Sequence, residues 1–137
     1  MRAVIAAALL AAVSSGAAAQ SDGALSVELN KLEPLDGGCR SFFLFRNGVG
    51  RGFAAFEMAL AILRPDGVID SLLTIDAAPL PADRTTLKIF ELPETACGDV
   101  GALLLHDIPA CEAADGGEID CFEAIELDSL ADAALSK

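Results

Sequence analysis

Apolar and polar residues alternate with period two along most of this chain. Leu25, Val27 and Leu29 alternate with Ser26, Glu28 and Asn30, which is the pattern of a strand with one buried face. Pro34 and Gly37-Gly38 then predict a turn. A second strand is expected from about Cys39 to Arg46, rich in aromatics at Phe42, Phe43 and Phe45. The third is the clearest: Phe56, Met58, Leu60 and Ile62 on one face, Glu57, Ala59 and Ala61 on the other. Pro65-Asp66-Gly67 is a turn signal, since proline presets φ and glycine accepts positive φ. Val68 to Ile75 completes the expected hairpin.

Ala78-Pro79-Leu80-Pro81 carries two prolines and reads as an extended connector. Arg84 to Leu92 is the fifth strand, with Leu87 and Ile89 as its inward pair and Pro93 as its end. Val100 to Ile108 is the sixth, and Asp115-Gly116-Gly117 a turn. Ile119 to Leu127 fits either a seventh strand or a short helix. The sequence thus predicts an all-β, immunoglobulin-like β-sandwich of about seven strands over residues 20–128, with a C-terminal tail at 129–137 that is either frayed or a helical turn. No tryptophan is present, and Phe43 and Phe45 take its expected place in the core.

The first nineteen residues have a different character. Arg2 is followed by the uncharged apolar run Ala3 to Val13 and by Ala17-Ala18-Ala19. Those are the three parts of a secretory signal peptide, with cleavage expected before Gln20. The run falls short of the roughly 20 apolar residues a membrane span requires. Later apolar runs are shorter still and carry charges, so no transmembrane helix is expected. No cysteine follows the cleavage site, which excludes a lipoprotein, and no arginine pair precedes the apolar run. Export places the domain in the periplasm or outside the cell. With 21 acidic against 9 basic residues the net charge is −12, and loss of Arg2 makes it more acidic. Such a surface repels phosphate backbones and anionic membranes. It suits a basic protein partner or cations.

Four cysteines, Cys39, Cys97, Cys111 and Cys121, lie behind the leader, and an even count there reads as two disulfides. Four cysteines allow three pairings. The expected sandwich favours one of them. Its second and fifth strands are antiparallel neighbours, which brings Cys39 at the start of one near Cys97 after the end of the other. Cys111 and Cys121 flank the turn between the sixth and last strands. The spacings do not form a zinc site, and no C-x-x-C suggests a redox pair.

Candidate chemistry is sparse. His106-Asp107 is the only histidine–carboxylate neighbour pair. Adjacent strand residues point to opposite faces, and neither Ser41 nor Ser71 sits in a nucleophile elbow. Asp115, Glu118, Asp120, Glu123, Glu126 and Asp128 crowd the C-terminal end without the full spacing of a calcium loop. Asn47-Gly48-Val49-Gly50-Arg51-Gly52 lacks the lysine and the following helix of a phosphate loop. It places Arg46 and Arg51 where they can receive an anionic group or pair with local carboxylates. No catalytic residue, metal site or cofactor is expected.

Leu25–Glu33, Gly38-Cys39, Phe43–Asn47, Ala77–Leu80 and Leu103–Asp107 together resemble a family of small exported bacterial proteins known by their signal sequences, often of twin-arginine type. The chain departs from that label in lacking the arginine pair. Phe43-Leu44-Phe45-Arg46-Asn47 before a loop is also similar to immunoglobulin-like modules of bacterial envelope proteins. These resemblances imply export and the fold, and carry over no functional residue. The expected function is a non-enzymatic periplasmic binding or interaction module that uses Phe42 and Leu44, with Arg46 and Arg51 nearby. The alternatives are a small periplasmic hydrolase using carboxylates and a weak divalent-cation-binding protein.

Overall fold

A computed structural model describes residues 23–137; the expected signal peptide and its cleavage site lie outside the described residues. Eight strands form two four-stranded sheets. They are β1 (Leu25–Leu35), β2 (Gly38–Asn47), β3 (Phe53–Leu63), β4 (Ile69–Asp76), β5 (Thr85–Pro93), β6 (Ala102–Ala113), β7 (Ile125–Ser129) and β8 (Ala134–Ser136). The first sheet has the order β5-β2-β1-β7, the second β4-β3-β6-β8. Among the described residues parallel pairing occurs only at β1–β7 and β6–β8. Among the described residues no helix is long and apolar enough to cross a membrane.

The period-two pattern decides which side chains fill the space between the sheets. Leu25, Val27, Leu29, Phe43 and Phe45 of the first sheet meet Phe56, Met58, Leu60, Ile62, Leu103 and Leu105 of the second, all at most 2% exposed. Phe53 and Phe56 pack edge-on, with ring centroids 5.4 Å apart, a favoured aromatic geometry. The expected hairpin is β3–β4, closed by Gly67, which has φ 84°. Both expected disulfides are present. Cys39–Cys97 joins the start of β2 to a 3-10 turn (Cys97–Asp99) after β5, with Cα atoms 4.9 Å apart. Cys111–Cys121 links β6 to α1 (Cys121–Ala124), with Cα atoms 6.5 Å apart. The first follows from the register, because β2 and β5 are antiparallel neighbours with Cys39 opposite Leu92.

Three expectations are corrected, and one left open between strand and helix is resolved. Leu87 and Ile89 point outward, 54% and 49% exposed, while Phe90 and Leu92 point inward. The pairing of buried Cys39 with Leu92 and of buried Ser41 with Phe90 sets that phase, since directly opposed residues share a face. Pro34 lies within β1 opposite Cys39, and the turn is shorter than expected. The segment from Ile119 to Leu127 is divided between a helical turn and a strand. Asp120 caps α1 by accepting the Glu123 N–H at 3.1 Å, and β7 starts at Ile125.

The tail, lastly, does not fray. Ala133 and Leu135 are 1% and 7% exposed, and β8 runs parallel to β6. The Ser129 hydroxyl donates to the carbonyl of Ala133, which shapes the crossing from one sheet to the other. The Lys137 ammonium donates to the carbonyls of Phe122 and Ile125 at 2.7 and 2.9 Å, at the C-terminal end of α1. A cation there satisfies carbonyls that a helix leaves unpaired. The tail is therefore the eighth strand where about seven were expected.

Candidate interaction face

β2 supplies the middle of the outer face of the first sheet. Its inward residues are Cys39, Ser41, Phe43, Phe45 and Asn47, all buried; its outward residues are Arg40, Phe42, Leu44 and Arg46, all half-buried. On β5 the outward residues opposite them are Glu91, Ile89, Leu87 and Thr85, in that order. On β1 they are Glu33, Lys31, Glu28 and Ser26.

The β1 set depends on a bulge. Register shifts between Leu29 and Lys31, so that Leu29 faces Phe43 and Lys31 faces Phe42. The extra residue, Asn30, turns the outward set from even to odd numbers, as a bulge must. The Lys31 ammonium therefore stands 4.4 Å over the Phe42 ring, a cation–π contact. The change of apolar phase from Leu29 to Leu32 is the sequence signal for it.

At the centre, Phe42, Leu44, Leu87 and Ile89 form a two-by-two apolar block. Phe42 opposes Ile89, and Leu44 opposes Leu87. Leu87 and Ile89 were missed as surface residues because both apolar phases of β5 are plausible from the sequence alone. Charges border the block on its β1 side and at its two ends, and are engaged with one another. Arg40 reaches Glu33 at 3.3 Å and Glu91 at 3.6 Å, and Lys31 reaches Glu33 at 3.0 Å. Arg46 donates to Glu28 at 3.3 Å, and the Asn30 amide donates to the other Glu28 oxygen at 2.9 Å. The Asn30 and then the Arg46 hydrogen bonds hold the Glu28 carboxyl below its usual range. The Lys31 hydrogen bond, with Arg40 adding to it, does the same for Glu33. Glu126 and Asp128 of β7 lie at the margin, one strand beyond Ser26 and Glu28.

Arg51, expected beside Arg46, serves the loops. Its Nε and Nη2 donate to the two Asp115 carboxylate oxygens at 2.9 and 2.7 Å, and its Nη1 donates to the Glu118 carbonyl at 3.0 Å. Bidentate contact of this kind fixes both partners. Buried Asn47 anchors the same region. Its amide donates to the carbonyls of Arg51, Leu80 and Pro81 at 2.8, 3.2 and 3.2 Å, and its carbonyl oxygen accepts the Val49 N–H at 3.1 Å. The structure thus gives Arg46 and Arg51 separate carboxylate partners, Glu28 and Asp115.

The Asp115 carboxyl is lowered to about 2 by the Arg51 hydrogen bonds first and the Gly117 N–H second. Its contribution to stability is then present above the ordinary value of 3.8 and is lost as pH falls through about 2. In Arg51→Gln the Asp115 titration is expected to rise toward that ordinary value, read by carboxyl NMR. An unchanged titration would show that Arg51 is not its cause.

The remaining candidates fall elsewhere. His106 is the extra residue at a β6 bulge, between Leu105 opposite Leu60 and Asp107 opposite Ala59, so that both His106 and Asp107 are exposed. Ser41 is fully buried and its hydroxyl donates to the Phe90 carbonyl at 2.8 Å. Ser71 donates to Asp70 at 3.3 Å. Of the crowded C-terminal carboxylates, Asp115 is held by Arg51 and Asp120 caps α1. Among the described residues no three His, Cys, Asp or Glu side chains gather into a metal-binding set. An open groove beside the Cys111–Cys121 disulfide is lined by Ile108, Ile119 and Phe122 together with Glu112 and Glu118.

Comparison with protein-family models, with curated proteins and with solved structures finds no match to this chain.

Proposed function

We propose that this protein is an exported, non-enzymatic interaction module that binds another protein through the outer face of the β5-β2-β1-β7 sheet. The observation that carries the reading is the block of exposed Leu87 and Ile89 with half-buried Phe42 and Leu44, bordered on the β1 side and at its ends by mutually paired charges. A contiguous apolar patch with a polar rim is the usual mark of a protein-binding surface. Export is supported by the leader-like first nineteen residues and by two disulfides, which persist in oxidising compartments. The immunoglobulin-like assignment is supported by two four-stranded sheets with antiparallel β2–β5 in one and β3–β6 in the other. It is the fold implied by the resemblance of Phe43–Asn47 to immunoglobulin-like modules of bacterial envelope proteins.

A face is favoured over an edge as the docking surface. β5, the edge strand beside the block, turns Lys88 inward, where its ammonium donates to the Ala78 carbonyl at 3.3 Å. It ends on Pro93. Inward charges and prolines protect an edge from strand addition.

The test is a photoreactive residue placed at position 87 or 89 in the native cell, with position 72 on β4 as the control. Leu72 is 69% exposed but lies on the second sheet. Specific adducts from 87 and 89 and none from 72, on a chain whose mass shows loss of residues 1–19, are the expected result. Equal labelling from all three positions, or none, would overturn the interaction reading. An intact leader would overturn export.

A further inference from the structure

We infer that the groove beside the Cys111–Cys121 bridge is a separate docking site, and that its occupant is an extended basic segment of another protein with an apolar side chain at its middle. The groove is built from β6 and the residues that follow it, apart from the β5-β2-β1-β7 sheet. The inference therefore goes beyond the reading of that sheet, and either can fail without the other.

The groove exists because β8 is short. β6 pairs with β3 from Ala102 to Ala113. On its other side β8 covers only Ala102 to Leu104. Among the described residues no strand lies beside His106–Glu112 on that side, and no backbone hydrogen bond outside the β3 ladder reaches them. The chain turns at Asp115-Gly116-Gly117, and Glu118–Phe122 form the rest of the wall, tied to β6 by the bridge. The space left between them is about 850 Å³.

The lining sets the chemistry of the occupant. Ile108, Ile119 and Phe122 make the groove partly apolar, and the Phe122 ring is 39% exposed. Asp107, Glu112, Glu118 and Asp120 line the same space and are exposed, and no Lys, Arg or His lines it. Among the described residues none of these four carboxylates enters an ion pair, whereas the cations beside the β2 block all do. The cations at the margin are committed elsewhere. Arg51 is held by the Asp115 carboxylate and the Glu118 carbonyl, and Lys137 by the carbonyls of Phe122 and Ile125. Uncompensated negative charge beside apolar surface is complementary to a cationic, partly apolar partner.

A peptide meets these conditions better than a free amine or a metal ion. An exposed ion pair contributes little by itself, so retention requires several cations on one chain. Among the described residues no three acidic side chains gather into a metal-binding set. The open side of β6 also offers backbone groups that suit another backbone. Bulges at His106 and at Ile108-Pro109 interrupt that side, and the Asp107 carboxylate already accepts the Ile108 N–H at 2.9 Å. Backbone pairing is therefore local, and the edge does not template a continuous strand. Side chains supply the selectivity.

The experiment is an amide NMR titration of the oxidised protein at low salt, to about 5 mM peptide. The probe is the hexapeptide acetyl-Lys-Lys-Leu-Phe-Lys-Lys-amide, with hexalysine and the glutamate counterpart of the probe as controls. Saturating shifts concentrated on Asp107–Phe122 are expected from the probe, weaker binding from hexalysine and none from the glutamate peptide. Glu112→Lys and Glu118→Lys should each weaken the probe about fivefold, and Phe122→Ser about tenfold. Asp36→Lys changes the net charge equally in the exposed turn between β1 and β2, and should weaken it no more than about twofold. The substituted side chains are exposed, and unchanged amide spectra away from the groove show that the variants fold. No saturable shift with the probe overturns the inference. So does hexalysine binding as tightly as the probe, or Asp36→Lys costing as much as Glu112→Lys and Glu118→Lys, since either would reduce the effect to diffuse attraction by an acidic surface.

Discussion

Replacing Cys39 and Cys97 together by alanine is expected to lower the unfolding free energy by about 4 kcal/mol, as an upper figure. The bridge closes a loop of sequence separation 58, and a loop of that length costs the unfolded chain much of its freedom. Cys39 is also fully buried while Cys97 is half-buried, so the bridge ties the segment after β5 to the edge of the core at the start of β2. The Cys111–Cys121 bridge spans a separation of 10, and the same loop model gives about 3 kcal/mol. Against a net stability of roughly 5–15 kcal/mol for a domain, the first loss is the graver. Urea unfolding without reductant measures both double variants. The expected order is a lower midpoint for the Cys39/Cys97 variant than for the Cys111/Cys121 variant. The reverse order would mean that loop length does not govern these bridges.

That pairing was legible in the sequence because it depends on strand order. Once β2 and β5 are neighbours, Cys39 and Cys97 have to be close. The β3–β4 hairpin was legible for a local reason: period two on both sides of Pro65-Asp66-Gly67. The phase of β5 was not. Leu87 with Ile89 and Phe90 with Leu92 are two apolar pairs in opposite phases, and only the register against β2 chooses between them. Register is a non-local property, and a shift of one residue exchanges the two faces of a strand. The tail was illegible for a similar reason. Three residues of β8 contain too little pattern to announce a strand, and their burial depends on β6 beside them.

The interaction face was half legible. Phe42-Phe43-Leu44-Phe45 is apolar in both phases, which a strand covered on both sides would also require. Sequence offers no means of choosing between an inner strand of three layers and a two-layer sandwich with one apolar outer patch. The structure has two sheets, and Phe42 and Leu44 lie on the side away from the second. The charges that frame them were hidden by the bulge at Asn30, which moves Lys31 and Glu33 onto the outer face.

The same strand supplies the second large effect. Phe45→Ala is expected to cost about 3–5 kcal/mol, because Phe45 is fully buried between the sheets and deleting its ring leaves a cavity. Its ring centroid is 6.2 Å from that of Phe43, so the loss extends to a neighbour in the core. Phe42→Ala, three positions away, should cost no more than about 1 kcal/mol. It removes a half-buried ring and the Lys31 contact above it. Urea denaturation of the purified protein compares the two. A large difference fixes the phase of β2 and leaves Phe42 free to act between molecules. Equal losses would mean that Phe42 is packed within the monomer as tightly as Phe45. An outer face that the domain itself already covers would then have no apolar block to offer a second chain, and the interaction reading would lose its physical basis.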